Sequence, residues 1–127
     1  MEHLRAACKA KLGATETYVE DWSAFNYKIG GKMLAIIGTD GKKKPLISLK
    51  CDVGESEILR QQYEDIVPGY YLNKQHWNSI YYDNHRVPIE LIEELIDHSY
   101  SLIWHSLPKK KRADILKNSG GVKPRLP

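Results

Sequence analysis

Three consecutive lysines, Lys42-Lys43-Lys44, follow an Asp-Gly turn signal in a predicted hairpin loop. Three ammonium groups on an exposed loop can lie across nucleic-acid phosphates, and each contact adds a salt-dependent contribution to binding. The alternative is a lysine-guarded hairpin that resists edge-to-edge aggregation. The loop has no Arg, Asn or Gln at its tip to read base edges, so binding through it is expected to be weakly sequence-selective.

A Lys, a His and a Trp lie within four residues at Lys74, His76 and Trp77. In an extended segment Lys74 and His76 point to one side and Trp77 to the other. A protonated His76 can bond to phosphate, and an exposed Trp77 can stack on a base. The alternative is that Trp77 anchors a core while Asn73 and His76 satisfy backbone groups in a tight corner.

A second loop, Asp83 to Pro88, contains His85 and Arg86. One fixed positive charge beside Asp83 makes a weak anion site, and an ordinary turn is the alternative. Other aromatic residues are candidates for a stacking surface, although neighbours on a strand must divide between its faces. These are Tyr70, Tyr71, Tyr81 and Tyr82, whereas Trp22 and Trp104 are expected to pack inside the protein.

The positive charge is concentrated at the C-terminus. The 127 residues carry a net charge of +3, but residues 1–108 have 12 basic and 15 acidic groups, and residues 109–127 have seven basic groups and one acidic group. The densest cluster is Lys109, Lys110, Lys111 and Arg112. Such a segment can attract a polyanion through counterion release, or it can simply keep the chain soluble.

No pattern in the sequence predicts catalysis. A glycine-rich phosphate loop and a GxSxG nucleophile elbow are both missing from the sequence. The five histidines are scattered, and His98 and His105, two helical turns apart, lack a third metal ligand. We therefore predict no catalytic residue, no cofactor and no metal site.

The composition fits one globular domain. Hydrophobic residues make up 42% of the chain, which is too many for a disordered protein of this modest charge. No apolar run reaches the roughly 18 residues of a membrane span, and the N-terminus lacks an export pattern, so a cytoplasmic protein with no membrane partner is expected. Cys8 and Cys51 are then expected to be reduced and partly buried.

The elements that must position these residues follow from periodicity. Helices are predicted at 2–12, 54–65 and 88–107, with a further short helix at 109–117. Strands are predicted at 24–29, 32–37 and 46–50, then at 70–72 and 77–82, and residues 15–21 are a candidate edge strand. Gly30-Gly31 predicts a tight hairpin turn. The order α-β-β-β-α-β-β-α favours an α+β, two-layer sandwich with an antiparallel sheet and its helices on one face.

The segment PGYYLNKQHWNSIYYD, residues 68–83, resembles the signature of the MmcQ/YjbR family. The flanking pieces GGKMLAI, SLKC, LRQQY, Ser99-Tyr100 and LPKKKR follow the same family's order, and the resemblance runs from about residue 3 to residue 117. This chain has Tyr71 where the family often has His. The resemblance implies a fold similar to frataxin-like and secretion-chaperone-like sandwiches. It also implies a DNA-binding role through a double wing, two loops that flank the sheet.

We therefore predict a domain over residues 1–117 and a flexible basic tail over 118–127. Its expected function is non-enzymatic binding of double-stranded DNA. The predicted contacts are Lys42, Lys43, Lys44, Lys74, His76, Arg86, Lys109, Lys110, Lys111 and Arg112. Two alternatives remain: a protein-interaction module, and a small-ligand binder with a pocket lined by Tyr70 or Tyr82.

Overall fold

The chain forms one antiparallel sheet with four α-helices, seen in a computed structural model that describes residues 1–70 and 72–118. The elements are α1 (Glu2–Lys9), β1 (Thr15–Val19), a 3-10 turn (Glu20–Trp22), β2 (Ala24–Ile29), β3 (Lys32–Thr39), β4 (Pro45–Lys50), α2 (Val53–Gln62), β5 (Ile66–Pro68), β6 (Trp77–Ile80), α3 (Ile89–Ser106) and α4 (Lys109–Asn118). The predicted α+β class is confirmed. The order gains one strand, β1, because the candidate edge strand does pair, and one helix, α4.

The six strands lie in the order β1-β2-β3-β4-β6-β5, and every neighbouring pair is antiparallel. The predicted turn at Gly30-Gly31 joins β2 to β3, and both glycines have positive φ. A Cβ on Gly30 would lie 2.8 Å from a Leu107 methyl carbon, so this turn also packs closely beneath the end of α3.

The strand predicted at 70–72 is wrong for Tyr70 and Leu72, because pairing stops at Pro68, and Tyr71 lies outside the described residues. The Gly69 N–H closes the ladder on the Trp77 carbonyl at 2.7 Å, and the Tyr70 N–H then donates to the Ser79 hydroxyl instead of a backbone carbonyl. A Cβ on Gly69 would lie 2.7 Å from the Trp77 Cβ, so only glycine allows this approach. The chain therefore leaves the sheet after Gly69.

One face of the sheet carries the hydrophobic core. Residues that are paired across neighbouring strands lie on the same face of the sheet. On one face these residues are buried against the helices, and together they form the core. Its strand residues include Tyr27, Ala35, Ile37, Ile47, Leu49, Ile66 and Ile80, and its helical residues include Leu4, Leu59, Ile96 and Tyr100. Members from α1, α2 and α3 share this one cluster, so these helices pack on one face, as predicted.

Ser99 ties α3 to the centre of the sheet. Its hydroxyl donates to the Leu34 carbonyl of β3 at 2.6 Å and accepts the Lys50 N–H of β4 at 3.1 Å. The neighbouring Tyr100 hydroxyl donates to the Leu12 carbonyl at 2.6 Å, and its ring stacks on Trp104. Ser99 and Tyr100 therefore both stabilise the fold.

An ion pair fixes α1 to the first strands. Arg5 donates to both carboxylate oxygens of Glu16, at 3.1 and 3.0 Å, and the Tyr27 hydroxyl donates to the same carboxylate at 2.6 Å. The hydrogen bond from Arg5 is the main cause that lowers the pKa of Glu16 to about 2, and the Tyr27 hydroxyl adds to it. Burial raises the pKa of the nearby Cys8 thiol to about 12, and Cys8 and Cys51 are both free and buried.

The opposite face of the sheet carries Asn26, Ile36, Ser48 and Ser79, which are cross-strand neighbours. The segment after Gly69 covers part of this face, since Tyr70 bonds to Ser79. We refer to this opposite face of the sheet as the open face. The predicted tail lies outside the described residues except for Asn118, the last residue of α4.

Candidate nucleic-acid interface

The first wing, residues 40–44, is the connection between β3 and β4. The Asp40 carboxylate accepts the backbone N–H groups of Lys42 and Lys44, at 2.8 and 2.9 Å, and the Tyr81 hydroxyl at 2.9 Å. These bonds, led by the one from the Lys44 N–H, lower the pKa of Asp40. The loop is therefore ordered from within. Its three lysines are exposed, and none of them forms an ion pair with a described residue.

The second wing, residues 83–88, follows β6 at the same end of the sheet. Arg86 donates to both carboxylate oxygens of Asp65, at 2.9 and 2.8 Å, and a third guanidinium nitrogen lies 3.5 Å from Glu64. Asp65 is buried, with 5% of its surface exposed. The hydrogen bonds that Arg86 donates to Asp65, together with the charge of that carboxylate, raise the pKa of Arg86. Arg86 therefore anchors the second wing, and much of its charge is already compensated.

The two wings border one cleft of about 660 Å³. Its lining is Asp40, Gly41, Lys42, Lys44, Glu64, Asp65, Tyr70, Tyr81, Asn84 and Arg86. Three cations and three carboxylates thus share this space. A phosphate that entered the floor would meet Asp40 and Asp65, whereas one held at the rim would meet the lysines.

The segment Asn73 to Trp77 forms a tight corner at the other end of the sheet. The Asn73 side chain accepts the N–H groups of Gln75 and His76, at 2.9 and 3.3 Å, and its backbone carbonyl accepts the Trp77 N–H at 3.0 Å. Trp77 is 9% exposed, and the Lys74 ammonium donates to the Gly69 carbonyl at 3.2 Å. This geometry fits the alternative in which Asn73 satisfies backbone groups in a tight corner. The buried Trp77 is not placed to stack on a base.

Arg60 of α2 holds this corner in place. Its Nε donates to the Asn78 side-chain oxygen at 2.7 Å, and its guanidinium also donates to the carbonyls of Lys74 and Trp77, the latter at 3.2 Å. Sequence reasoning missed this role, because Arg60 lies 14 residues before the corner, on another element.

The basic cluster of α4 also lies away from the wings. The Lys111 ammonium is 3.4 Å from the Gly30 carbonyl in the β2–β3 turn. Strand β3 joins that turn to the first wing over eight residues, a span of roughly 25 Å. The ten predicted contacts therefore fall into two groups. Lys42, Lys43, Lys44 and Arg86 lie at the wing end, and Lys74, His76, Lys109, Lys110, Lys111 and Arg112 lie at the opposite end.

Trp22 is the clearest departure from the expected packing. It lies in the 3-10 turn and is 55% exposed, so the prediction that it packs inside the protein is wrong. Trp104 is buried, as predicted. Among the described residues no cluster of three or more His, Cys, Asp or Glu could hold a metal ion, and none of their helices is long and apolar enough to cross a membrane.

Comparison with known proteins places this geometry in a family. The family model YjbR matches residues 9–102. The chain belongs to the YjbR family. Within the family it is 36% identical over 105 residues to the uncharacterized protein YjbR of Escherichia coli K12, covering 83% of this chain and 87% of that protein. It is also 36% identical over 84 residues to the uncharacterized protein YbdF of Escherichia coli O157:H7, covering 66% and 67%.

Solved structures support the YjbR fold. The Deinococcus radiodurans protein DR2400, of family-model domain DUF419, superposes with a TM-score of 0.78 at 34% identity, over 90% of this chain and 86% of that one. A Pseudomonas syringae protein superposes with a TM-score of 0.69 over 80% and 96%, and its 20% identity supports the fold alone.

The residues of this chain that carry the family signature have mainly structural roles. Gly69 allows the close approach to Trp77, Asn73 closes the corner, and Ser99 joins α3 to two strands. The carboxylates that shape the wings, Asp40 and Asp65, were not predicted as site residues. Only the Asp-Gly turn pattern could have indicated Asp40, since an Asp side chain commonly bonds to the backbone two residues later.

Proposed function

We propose that this member of the YjbR family is a non-enzymatic DNA-binding protein whose two wings contact phosphates with little sequence selectivity. The observation that carries the proposal is the position of the wings, which border one cleft at the same end of the sheet. Three exposed lysines stand on the first wing without an ion pair to the described residues. Ammonium groups in this state are available for phosphate contacts.

The charge of the cleft predicts weak binding. Asp40 and Asp65 repel a phosphate from the floor, so contacts are confined to the rim lysines. Arg86 serves mainly to position the second wing, because Asp65 occupies two of its donor groups. About three phosphate contacts give a salt slope near −2.7, which means a loss of roughly 40-fold in affinity between about 50 and 200 mM salt.

The cations at the opposite end of the sheet contribute less to DNA binding. A duplex that lay along the strands would have to extend roughly 25 Å from the first wing to reach α4, or about seven base pairs. Lys109, Lys110, Lys111 and Arg112 would then add contacts only on longer duplexes, and so would Lys74 and His76. Binding to short duplexes therefore depends on the first wing.

A fluorescence-anisotropy titration with a labelled duplex tests the proposal. The triple variant Lys42→Glu, Lys43→Glu, Lys44→Glu should lose binding at low salt. The matched control, Lys109→Glu, Lys110→Glu, Lys111→Glu, makes the same change of charge at the opposite end and should retain most of the affinity for a duplex of about six base pairs. The proposal fails if the wild-type protein does not bind at low salt, or if the wing variant binds as tightly as the control.

A further inference from the structure

A separate groove of about 470 Å³ lies on the open face of the sheet, a size typical of small-molecule sites. Ile36, Leu46 and Ser48 contribute its floor from β3 and β4. Trp22, Tyr70 and Leu72 line it from the 3-10 turn and from the segment after Gly69. The four helices pack on or around the other face, so none of the described helices covers this groove.

We propose that this groove binds a small cation with a planar aromatic ring, such as an arylalkylammonium ion. The proposal does not depend on DNA binding. The groove shares Asp40, Gly41 and Tyr70 with the cleft between the wings, so an occupant would touch the base of the first wing from the other side.

The aromatic lining favours a planar apolar body. Trp22 is 55% exposed, although tryptophan is usually packed, and the groove is the concavity that its side chain lines. Tyr70 is fixed at both ends, because its N–H donates to the Ser79 hydroxyl at 2.9 Å and its own hydroxyl accepts the Gly41 N–H at 2.8 Å. An indole, a fixed phenol and an aliphatic floor suit a flat ring, and aromatic faces also attract cations.

The charge of the lining favours a cation. Among the described residues that line the groove, the only charged ones are Asp21 and Asp40. Asp21 is exposed, and neither carboxylate forms an ion pair with a described residue. The donors that bind Asp40 are neutral backbone amides and the Tyr81 hydroxyl, but the nearby Lys44 charge offsets part of its negative charge. Asp21 is therefore the main attraction for a cation. An anionic ligand with the same ring would be disfavoured by both carboxylates.

A buried acceptor without a partner lies on the same face. The Asn26 side-chain oxygen has no hydrogen-bond partner among the described residues, and the residue is 6% exposed. Asn26 pairs with Ile36 in the β2–β3 register, so its side chain leaves the sheet on the side that carries the groove. A buried acceptor is costly when it is unpaired. Asn26 does not line the groove, however, so the proposal rests on the aromatic and acidic residues of the groove and not on this acceptor.

Two probes with the same ring and opposite charge test the inference. 1-Naphthylmethylamine and 1-naphthoate are titrated separately into isotope-labelled protein, and the amide signals of Ile36, Ser48 and Tyr70 are followed by NMR. The amine should bind saturably and at least ten-fold more tightly than the naphthoate. Trp22→Ala should weaken amine binding at least five-fold, and its exposed position leaves the fold intact, as thermal melts would verify.

The charge dependence is tested with a matched pair of variants. Asp21→Asn should weaken the amine several-fold and leave the naphthoate unchanged or slightly tighter. Asp114→Asn, which neutralises an exposed acid on α4, should change neither. The inference is overturned if the amine does not saturate, if the naphthoate binds as tightly, or if the shifted signals map outside the groove.

Discussion

The bridge from Arg60 to Asn78 gives a quantitative test of how the corner at residues 73–77 is held. Replacing Arg60 with Met keeps most of the aliphatic stem and removes the guanidinium. The Trp77 carbonyl keeps the Gly69 N–H as a donor at 2.7 Å, and the carbonyl of the exposed Lys74 can bind water. Of the three acceptors that Arg60 serves, only the Asn78 oxygen, in a residue that is 3% exposed, is then left buried and without a donor.

The expected loss of stability follows from the single acceptor that stays buried without a donor. A buried acceptor that loses its donor costs about 1–3 kcal/mol, so we expect Arg60→Met to lower the free energy of unfolding by about 2 kcal/mol. For a domain of this size that corresponds to a fall of roughly 6–12 °C in the melting temperature. Arg60→Lys should recover little, since a single ammonium cannot reproduce the planar set of donors.

Urea unfolding of a double-mutant cycle measures this bridge. Asn78→Ala removes the acceptor, so the double variant should show a coupling of about 1 kcal/mol or more between the two positions. Gln61→Met is the matched control, because it places the same side chain at an exposed neighbouring position of α2. A coupling below about 0.3 kcal/mol, or an Arg60→Met variant as stable as the control, would refute the reasoning.

Two further predictions concern the ion pair of α1 and the β2–β3 turn. The pKa of Glu16 is lowered from 4.5 to about 2, chiefly by Arg5, so its stabilising contribution is present above pH 4.5 and is lost as the pH falls toward 2. Urea midpoints should therefore show that Glu16→Gln costs stability at pH 7 and almost none near pH 2; an equal loss at both values would contradict this. Gly30→Ala introduces a Cβ at positive φ against Leu107, whereas Gly31→Ala has positive φ and open space. Thermal melts should place Gly30→Ala below Gly31→Ala by about 1 kcal/mol or more, and equal stabilities would rule out the close packing.

The strands with clear local patterns could be predicted from the sequence. Apolar and polar residues alternate in Ala24–Ile29, residues 33–37 form a continuous apolar run, and Gly30-Gly31 marks the turn between these two strands. The strand predicted at 70–72 rests on two adjacent tyrosines, a residue type that favours strands generally. The strand that does form, Ile66–Pro68, is three residues long, which is too short to show an alternation of apolar and polar residues.

The site depended on contacts between distant residues, which local patterns do not contain. The sequence supplied the cations of both wings, but the Asp65 partner of Arg86 lies 21 residues away, on a connection between two other elements. The exposure of Trp22 was missed for a related reason. The usual burial of tryptophan is an average over environments, and it did not apply in a 3-10 turn at the edge of the open face.

The proposed function requires that DNA contacts the wing end of the sheet. Mapping amide chemical shifts during titration with a short duplex at low salt tests it most directly. We expect the perturbed signals to lie in residues 40–44 and 83–88, and the perturbations to vanish together as the salt concentration is raised. Perturbations confined to α4 and to the corner at residues 73–77 would contradict it.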